Sequence, residues 1–399
     1  MTRTPSFQER TPSRRSALAL GLSVSLLGFS ALADPATAKR KLVVINCRGA
    51  LDGLSLAPPI GDPDYAVLRG PLAIPPDRAL KLDDTFALHP KLANLSRLVA
   101  SGQARIAPAV AIPERIRSHF EAQDLLETGG GQLYAVTTGW LNRALQAGQP
   151  GRPIKALSIG AQEPLILRGP VQAASWSPGG GTSSDTDRVA EVLRDLYAGD
   201  PLLGPALASG LQTEAMAASM SGGAPVRAGD PKGVGVTAGR FLVADGGLSI
   251  AALSLEGFDT HSGQGGVDGL LAARLNQLDQ VIAGLETGLG PAWSDTVVVA
   301  FTEFGRTARI NGTGGTDHGT ASALVLAGGA LKPGGIVGDW PGLAQNRLFE
   351  NRDLAPTLDI RAVFKGVLAD HLGLDRRALD SAVFPGSAEV RPVGGLIRA

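Results

Sequence analysis

Cysteine is almost absent from this chain of 399 residues: Cys47 is the only one. That excludes an intramolecular disulfide framework and a four-cysteine zinc site. Aromatic side chains are scarce, eleven Phe, four Trp and three Tyr making up 5% of the chain. Neither sign of charge dominates, since 37 Lys and Arg oppose 37 Asp and Glu. The basic footprint of a nucleic-acid-binding protein is therefore missing, and nucleic acid is not expected as a partner. No G-x-S-x-G elbow is present, which argues against an ordinary α/β-hydrolase. There is no Walker A sequence, and the glycine runs at 129–131 and 179–181 lack the strand-to-helix setting of a dinucleotide fingerprint. Glycine is abundant, at 53 residues, with 44% apolar and 19% charged side chains. This is the composition of a soluble globular protein long enough to bury a large core.

The zero net charge includes an unusual N-terminus. Residues 1–33 carry Arg3, Arg10, Arg14, Arg15 and only Glu9, then an uncharged run from Ala17 to Leu32 ending at Ala31-Leu32-Ala33. A basic region, a short apolar region and an A-x-A site make a cleavable export signal. The apolar run is shorter than the roughly 20 residues of a membrane span. The pair Arg14-Arg15 resembles a twin-arginine signal, which makes that export machinery a partner and the periplasm or the exterior the destination. Without residues 1–33 the chain carries a net charge of −3. Cys47, at the end of a buried strand, packs rather than reacts.

The remaining residues, 34–399, read as a single α/β domain. Strands are expected at Lys41–Cys47, Arg105–Ala111, Ile154–Ile159, Leu165–Leu167, Leu248–Leu255, Thr296–Thr302 and Ser322–Leu326. Helices are expected from His89-Pro90 to Ser101, His119 to Glu127, Trp140 to Ala147, around Asp187–Tyr197, along Val267–Leu285, and from Arg352 to Leu372. Residues 170–232, rich in Gly, Ser, Pro and Ala, read as an inserted cap or lid. Continuous apolar strands alternating with amphipathic helices imply a three-layer sandwich around a mainly parallel sheet.

In such a sheet, ligands bind beyond the carboxyl ends of the strands. Asp52 follows the first strand. Glu256, Asp259 and His261 follow LSIAALSL, and Glu303 and Arg306 follow VVVAF. Asp317 and His318 lie in a glycine-rich loop, and Arg117, Ser118 and His119 open a helix. Carboxylates and imidazoles together are a ligand set for a divalent ion. Asp259 and His261, two apart on an extended segment, share one face. The plain readings are a turn with a capping Asp for Asp259-Thr260-His261 and an ion pair for Glu303 and Arg306. His89 has a structural explanation at a helix start, and His371 one as a cation in a C-terminal helix.

The segments NCRGALDGL (46–54), ALHPKLANL (87–95), RSHFEAQDLLETG (117–129), GFDTHSGQ (257–264), TEFGRTARINGTGGTDHGTAS (302–322) and GDWPGL (338–343) resemble the domain-of-unknown-function 1501 family. The resemblance runs from about residue 41 to about 386. It implies a secreted protein with a fold like the alkaline phosphatase and sulfatase superfamily. By that similarity Asp52 is the metal-binding Asp after the first strand, and Ser118 is the nucleophile at a helix N-terminus. Glu256, Asp259 and His261 resemble the set after a central strand, with a compressed Asp–His spacing. Where that superfamily has an Asp-His pair, this chain has Glu303-Phe304, and Asp317-His318 supplies the later histidine. A one-metal site, or a site that has lost catalysis, is compatible with that pattern.

The first reading is an exported metal-dependent hydrolase of a phosphate or sulfate ester. Its metal, Zn, Mn, Mg or Ca, is held by Asp52, Asp259, His261 and His318, with Asp317 and Glu303 in or near the shell. His119 and Glu256 are secondary candidates. Ser118 is the nucleophile, and Arg117 or Arg306 holds the small anionic ester. The alternative is a non-catalytic periplasmic protein that binds an anion or a glycan on the same fold. A structural part of an envelope complex is the third.

Overall fold

A computed structural model describes residues 40–148, 155–160, 162–179, 184–201, 203–220, 226–227, 229–244 and 248–398. The export signal expected at 1–33 lies outside them. In chain order come β1 (Lys41–Cys47), α1 (Gly53–Leu56), α2 (Tyr65–Arg69), the antiparallel pair β2 (Leu80–Lys81) and β3 (Ala87–Leu88), α3 (Ala93–Ala100), β4 (Ala104–Ala111), α4 (His119–Thr128), α5 (Trp140–Ala147), β5 (Lys155–Ile159), β6 (Ala174–Trp176), α6 (Ser184–Tyr197) and α7 (Leu203–Met220). Then follow α8 (Pro231–Val243), β7 (Leu248–Leu255), α9 (Leu270–Leu289), β8 (Thr296–Phe301), β9 (Ser322–Ala327), β10 (Leu358–Asp359) and α10 (Ile360–Leu372). No described helix is long and apolar enough to cross a membrane.

Eight strands form one sheet in the order β10-β4-β9-β8-β1-β7-β5-β6. Only β9 runs antiparallel to its neighbours, β4 and β8; the other pairings are parallel. The central strand β1 is buried along its whole length. Its Val43, Ile45 and Cys47 face one apolar cluster, with Leu95 of α3, Phe241 of α8 and Leu278 of α9. Leu42 and Val44 face the other, with Leu125 of α4, Trp140 of α5 and Phe364 of α10. The period of two along a fully apolar strand thus serves two cores, as a sheet covered on both faces requires. Burial also pushes the Cys47 thiol pKa well above its ordinary value, with the Glu303 charge adding to the effect. The thiol is inert.

Glycine has a packing role on one of these faces. Gly235 and Gly239 of α8 meet Gly284 and Gly288 of α9 so closely that a methyl on Gly284 would stand 2.2 Å from the Lys232 carbonyl oxygen. Backbone lies against backbone, which larger residues would prevent.

Several expected elements differ. Leu165–Leu167 is a 3₁₀ turn rather than a strand, with Leu167 and Arg168 bonding back to Pro164 and Leu165. The helix expected from Arg352 begins only at Ile360, because Pro356 interrupts the segment and Asp359 caps the Arg361 N–H. The helix expected from His89 starts at Ala93, where the Asp279 carboxylate accepts the Asn94 and Leu95 N–H groups. His371 is not a helix-end cation: burial lowers its pKa to about 4, and its Nε2 lies 2.9 Å from the Lys41 carbonyl. Residues 170–232 hold an edge strand and the long α7, besides α6.

Candidate metal centre

The polar segments beyond the strand ends meet at one rim. The reversed direction of β9 is what closes it. Since β9 pairs directly with β8, the loop 302–321 leaves the sheet at one end and must return at the same end. It folds into a tight double-back, with Arg306 bridged to His318, and the Gly305 and Thr307 N–H groups bonded to the Thr320 and Asp317 carbonyls. Beside it, Gly49 at φ 109° lies against Phe258–Asp259, where a Cβ would stand 2.6 Å from the Asp259 nitrogen. Only glycine fits so close an approach in that backbone conformation.

Four side chains converge there. The Nε2 atoms of His119 and His318 are 3.0 Å apart, and those of His261 and His318 2.9 Å. Asp259 Oδ1 is 3.0 Å from His261 Nε2 and 3.2 Å from His318 Nε2, and Asp259 Oδ2 is 3.4 Å from His119 Nε2. Donors that share one ion at bonds near 2.0–2.1 Å stand about 3–3.4 Å from one another. The ligand atoms of His119, Asp259 and His318 all lie within 4.8 Å of one another.

The tautomers decide what this cluster is. His119 Nδ1 faces Glu303 Oε1 at 2.7 Å, His318 Nδ1 faces the Arg117 carbonyl at 2.8 Å, and His261 Nδ1 faces Asp317 Oδ1 at 3.3 Å. Each of those partners only accepts, so each Nδ1 carries the proton. Each ring, when its other nitrogen is bare, turns that Nε2 lone pair into the centre, beside a carboxylate. Donor atoms this close repel one another unless a proton or a metal ion lies among them. Imidazoles that ligate metals are oriented by this kind of outer hydrogen bond. The residues present fit a divalent ion.

Charge supports the same arrangement. Burial alone pulls the Asp259 carboxyl pKa up, but the Arg306 hydrogen bond and charge more than reverse this, so Asp259 stays ionised. Desolvation holds the His318 pKa below its usual value and keeps the ring neutral. The Glu303 hydrogen bond raises the pKa of His119. Glu303 is itself buried, which pulls its pKa up, and its bonds from His119, Thr302 and the Gly49 N–H outweigh the burial and leave it below the ordinary value.

The other expected residues take different places. Asp52 is corrected as a ligand: its carboxylate, 1% exposed, is filled by Arg69, Ser55, Gln264 and the Leu54 N–H. Gln264 and Thr316 then link it to Arg306. Glu303 stands behind His119 and Asp317 behind His261, one step outside the centre. Glu256 is exposed and lies 3.9 Å from Arg48. Arg306 is buried and engaged by Asp259 and Thr316, so it clamps a carboxylate rather than an outside anion. Arg117 pairs with Asp353 and Glu350. Ser118 directly precedes His119 and makes no capping bond with its side chain. The sequence showed no sign of the Asp52–Arg69 pair, since nothing in the spacing of 17 residues marks the contact. The weight of His119 was legible in its place beside Ser118 at a helix start.

The family model described as "Protein of unknown function (DUF1501)" matches residues 39–383. No curated protein matches. Among solved structures, the zinc complex of the C-terminal periplasmic domain of EcEptC from Escherichia coli has 11% identity and a TM-score of 0.34, covering 72% of this chain and 73% of that one. The phosphonate monoester hydrolase of Agrobacterium radiobacter has 13% identity and a TM-score of 0.35, covering 84% and 74%. The PsFucS1 sulfatase from Pseudoalteromonas sp. has 13% identity and a TM-score of 0.39, covering 90% and 74%. At these scores the likeness is too distant to transfer residues.

Proposed function

This chain belongs to the DUF1501 family, and we propose that it is an exported, metal-dependent hydrolase of a phosphate or sulfate ester. The observation that carries this is the meeting of three imidazole Nε2 atoms beside the Asp259 carboxylate. His119, His261, His318 and Asp259 would hold a divalent ion. When bound, such an ion polarises an ester oxygen and lowers the pKa of an attacking hydroxyl. Around a bound ion, three imidazoles would add no charge and the one carboxylate is already paired with Arg306, which would leave much of the ion's charge available to an anionic oxygen. Glu303, Asp317 and the Arg117 carbonyl fix the ring orientations. Ser118, at the start of α4 beside His119, supplies the nucleophile, and the helix N-terminus favours the anion there. Export rests on Arg14-Arg15 and the apolar run after them, and cleavage near Ala33 is its mark.

The test is metal analysis of the purified mature chain, with turnover of aryl phosphates and aryl sulfates. About one ion per chain is expected, lost in His318→Ala, with turnover lost in Ser118→Ala. Less than about 0.1 ion per chain, and no turnover after adding Zn, Mn, Mg or Ca, would overturn it. Anion binding without turnover, unchanged by Ser118→Ala, would instead mark a non-catalytic binding protein.

A further inference from the structure

The chain has few aromatic residues and buries most of them. Among the described residues, the large apolar side chains exposed to solvent include two aromatic ones, Phe120 at 87% and Tyr134 at 66%. Phe120 lies on the helix that carries His119, and Tyr134 in the turn that follows it. Phe120 follows His119 directly on α4. Tyr134 is tied to the same helix by its backbone N–H, which donates to Asp124 Oδ2 at 3.0 Å. Asp124 lies four residues after Phe120, so the two share one face of α4. Asp124 thus neighbours both Phe120 and Tyr134, and Phe120 follows His119 by one residue.

Neither aromatic is explained by folding. An exposed Phe forfeits the burial its ring would gain in a core. Tyr134 also holds a left-handed backbone, φ 55°, a conformation that costs energy in a residue other than glycine and clusters at ligand sites. The other exposed large apolar residues among the described ones, Val67, Leu203, Val243, Leu270 and the α6 residues Val189, Val192 and Leu196, are aliphatic. Two exposed rings on segments that share one carboxylate offer stacking faces and a hydrogen-bond acceptor together. A sugar ring matches both, with its C–H face on the aromatics and its hydroxyls donating to Asp124. A plain aryl group would leave the carboxylate unused.

We infer that Phe120, Asp124 and Tyr134 form a subsite for a sugar ring, so that the ester processed at the metal centre is a phosphorylated or sulfated saccharide. This rests on the reading of the metal centre as an ester site. The experiment uses the metal-loaded mature chain and an array of phosphorylated and sulfated mono- and disaccharides, with inorganic phosphate and sulfate as reference ligands. At least one saccharide ester should bind tenfold or more tightly than its inorganic anion. That ratio should fall about tenfold in Phe120→Ala and in Tyr134→Gly, and return in Phe120→Trp. No saccharide preference in the wild type, or a preference that survives both variants, overturns the inference. Failure of the wild type to hold metal or bind either inorganic anion overturns the hydrolase reading instead. A preference for aryl esters over saccharide esters also overturns the sugar assignment.

Discussion

Glu303 accepts the Nδ1–H of His119 at 2.7 Å and thereby turns the other ring nitrogen towards His318, 3.0 Å away. The buried carboxylate orients a ligand without touching the centre. Glu303→Gln keeps the shape and weakens the acceptor. The expected outcome is a loss of metal affinity of about 10- to 100-fold, read by competition with a chelator. An affinity equal to the wild type would remove Glu303 from that role.

Asp52 and Arg69 form a buried ion pair, with side-chain exposures of 1% and 0%. Removing one partner leaves the other charged and uncompensated. Arg69→Met should lower stability by about 3–5 kcal/mol in denaturant unfolding. The double variant Arg69→Met with Asp52→Asn should lose much less than the sum of the two single losses.

The α8–α9 contact sets another test. A methyl on Gly284 would meet the Lys232 carbonyl oxygen, and one on Gly235 the Val281 carbonyl oxygen. In an open helix, Gly→Ala would stabilise by about 1 kcal/mol. Here Gly284→Ala should destabilise by about 1–3 kcal/mol, since overpacking forces the helices apart. Thermal unfolding of the two variants measures it, and a stabilised Gly284→Ala would contradict the close approach.

The pH dependence follows from His371. Burial lowers its folded pKa to about 4, below the ordinary value near 6.5. The unfolded chain therefore takes up this proton first as the pH falls. The stability held by the neutral ring is complete above pH ~6.5 and is lost progressively down to pH ~4, by about 3 kcal/mol. His371→Gln, which can still donate to the Lys41 carbonyl, should show a shallower decline over that window.

Much of this architecture was legible in the sequence. Runs such as TVVVAF and LSIAALSL identify buried strands, because strands covered on both faces carry no polar alternation. The three histidines on the rim stood out as the ones in loops at strand ends or at a helix start. Other features depend on contacts distant in sequence. Asp52 looks like a ligand until Arg69 and Gln264 come to it. The reversed β9 left no local mark, since a strand's direction is set by its partners. The start of α10 was overrun because Asp359 and Pro356 act by capping and by steric exclusion, which an apolar period does not register.

The four donor side chains stand at the margin of the hydrophobic clusters that hold the sheet to its helices, where the His119 and His318 rings lie 4.9 and 5.0 Å from Phe304. Three of them sit on loops at one end of the frame, two in the Asp259–His261 segment and one in the double-back before β9. The frame therefore sets few conditions on which residues occupy that rim. Substitutions there can change the ion, the substrate or the reaction while the cores stay intact. Length changes in the 302–321 loop fall between two adjoining strands. Descendants of such a chain can keep its shape through large changes of chemistry, so shared fold is a poor guide to what any one of them does.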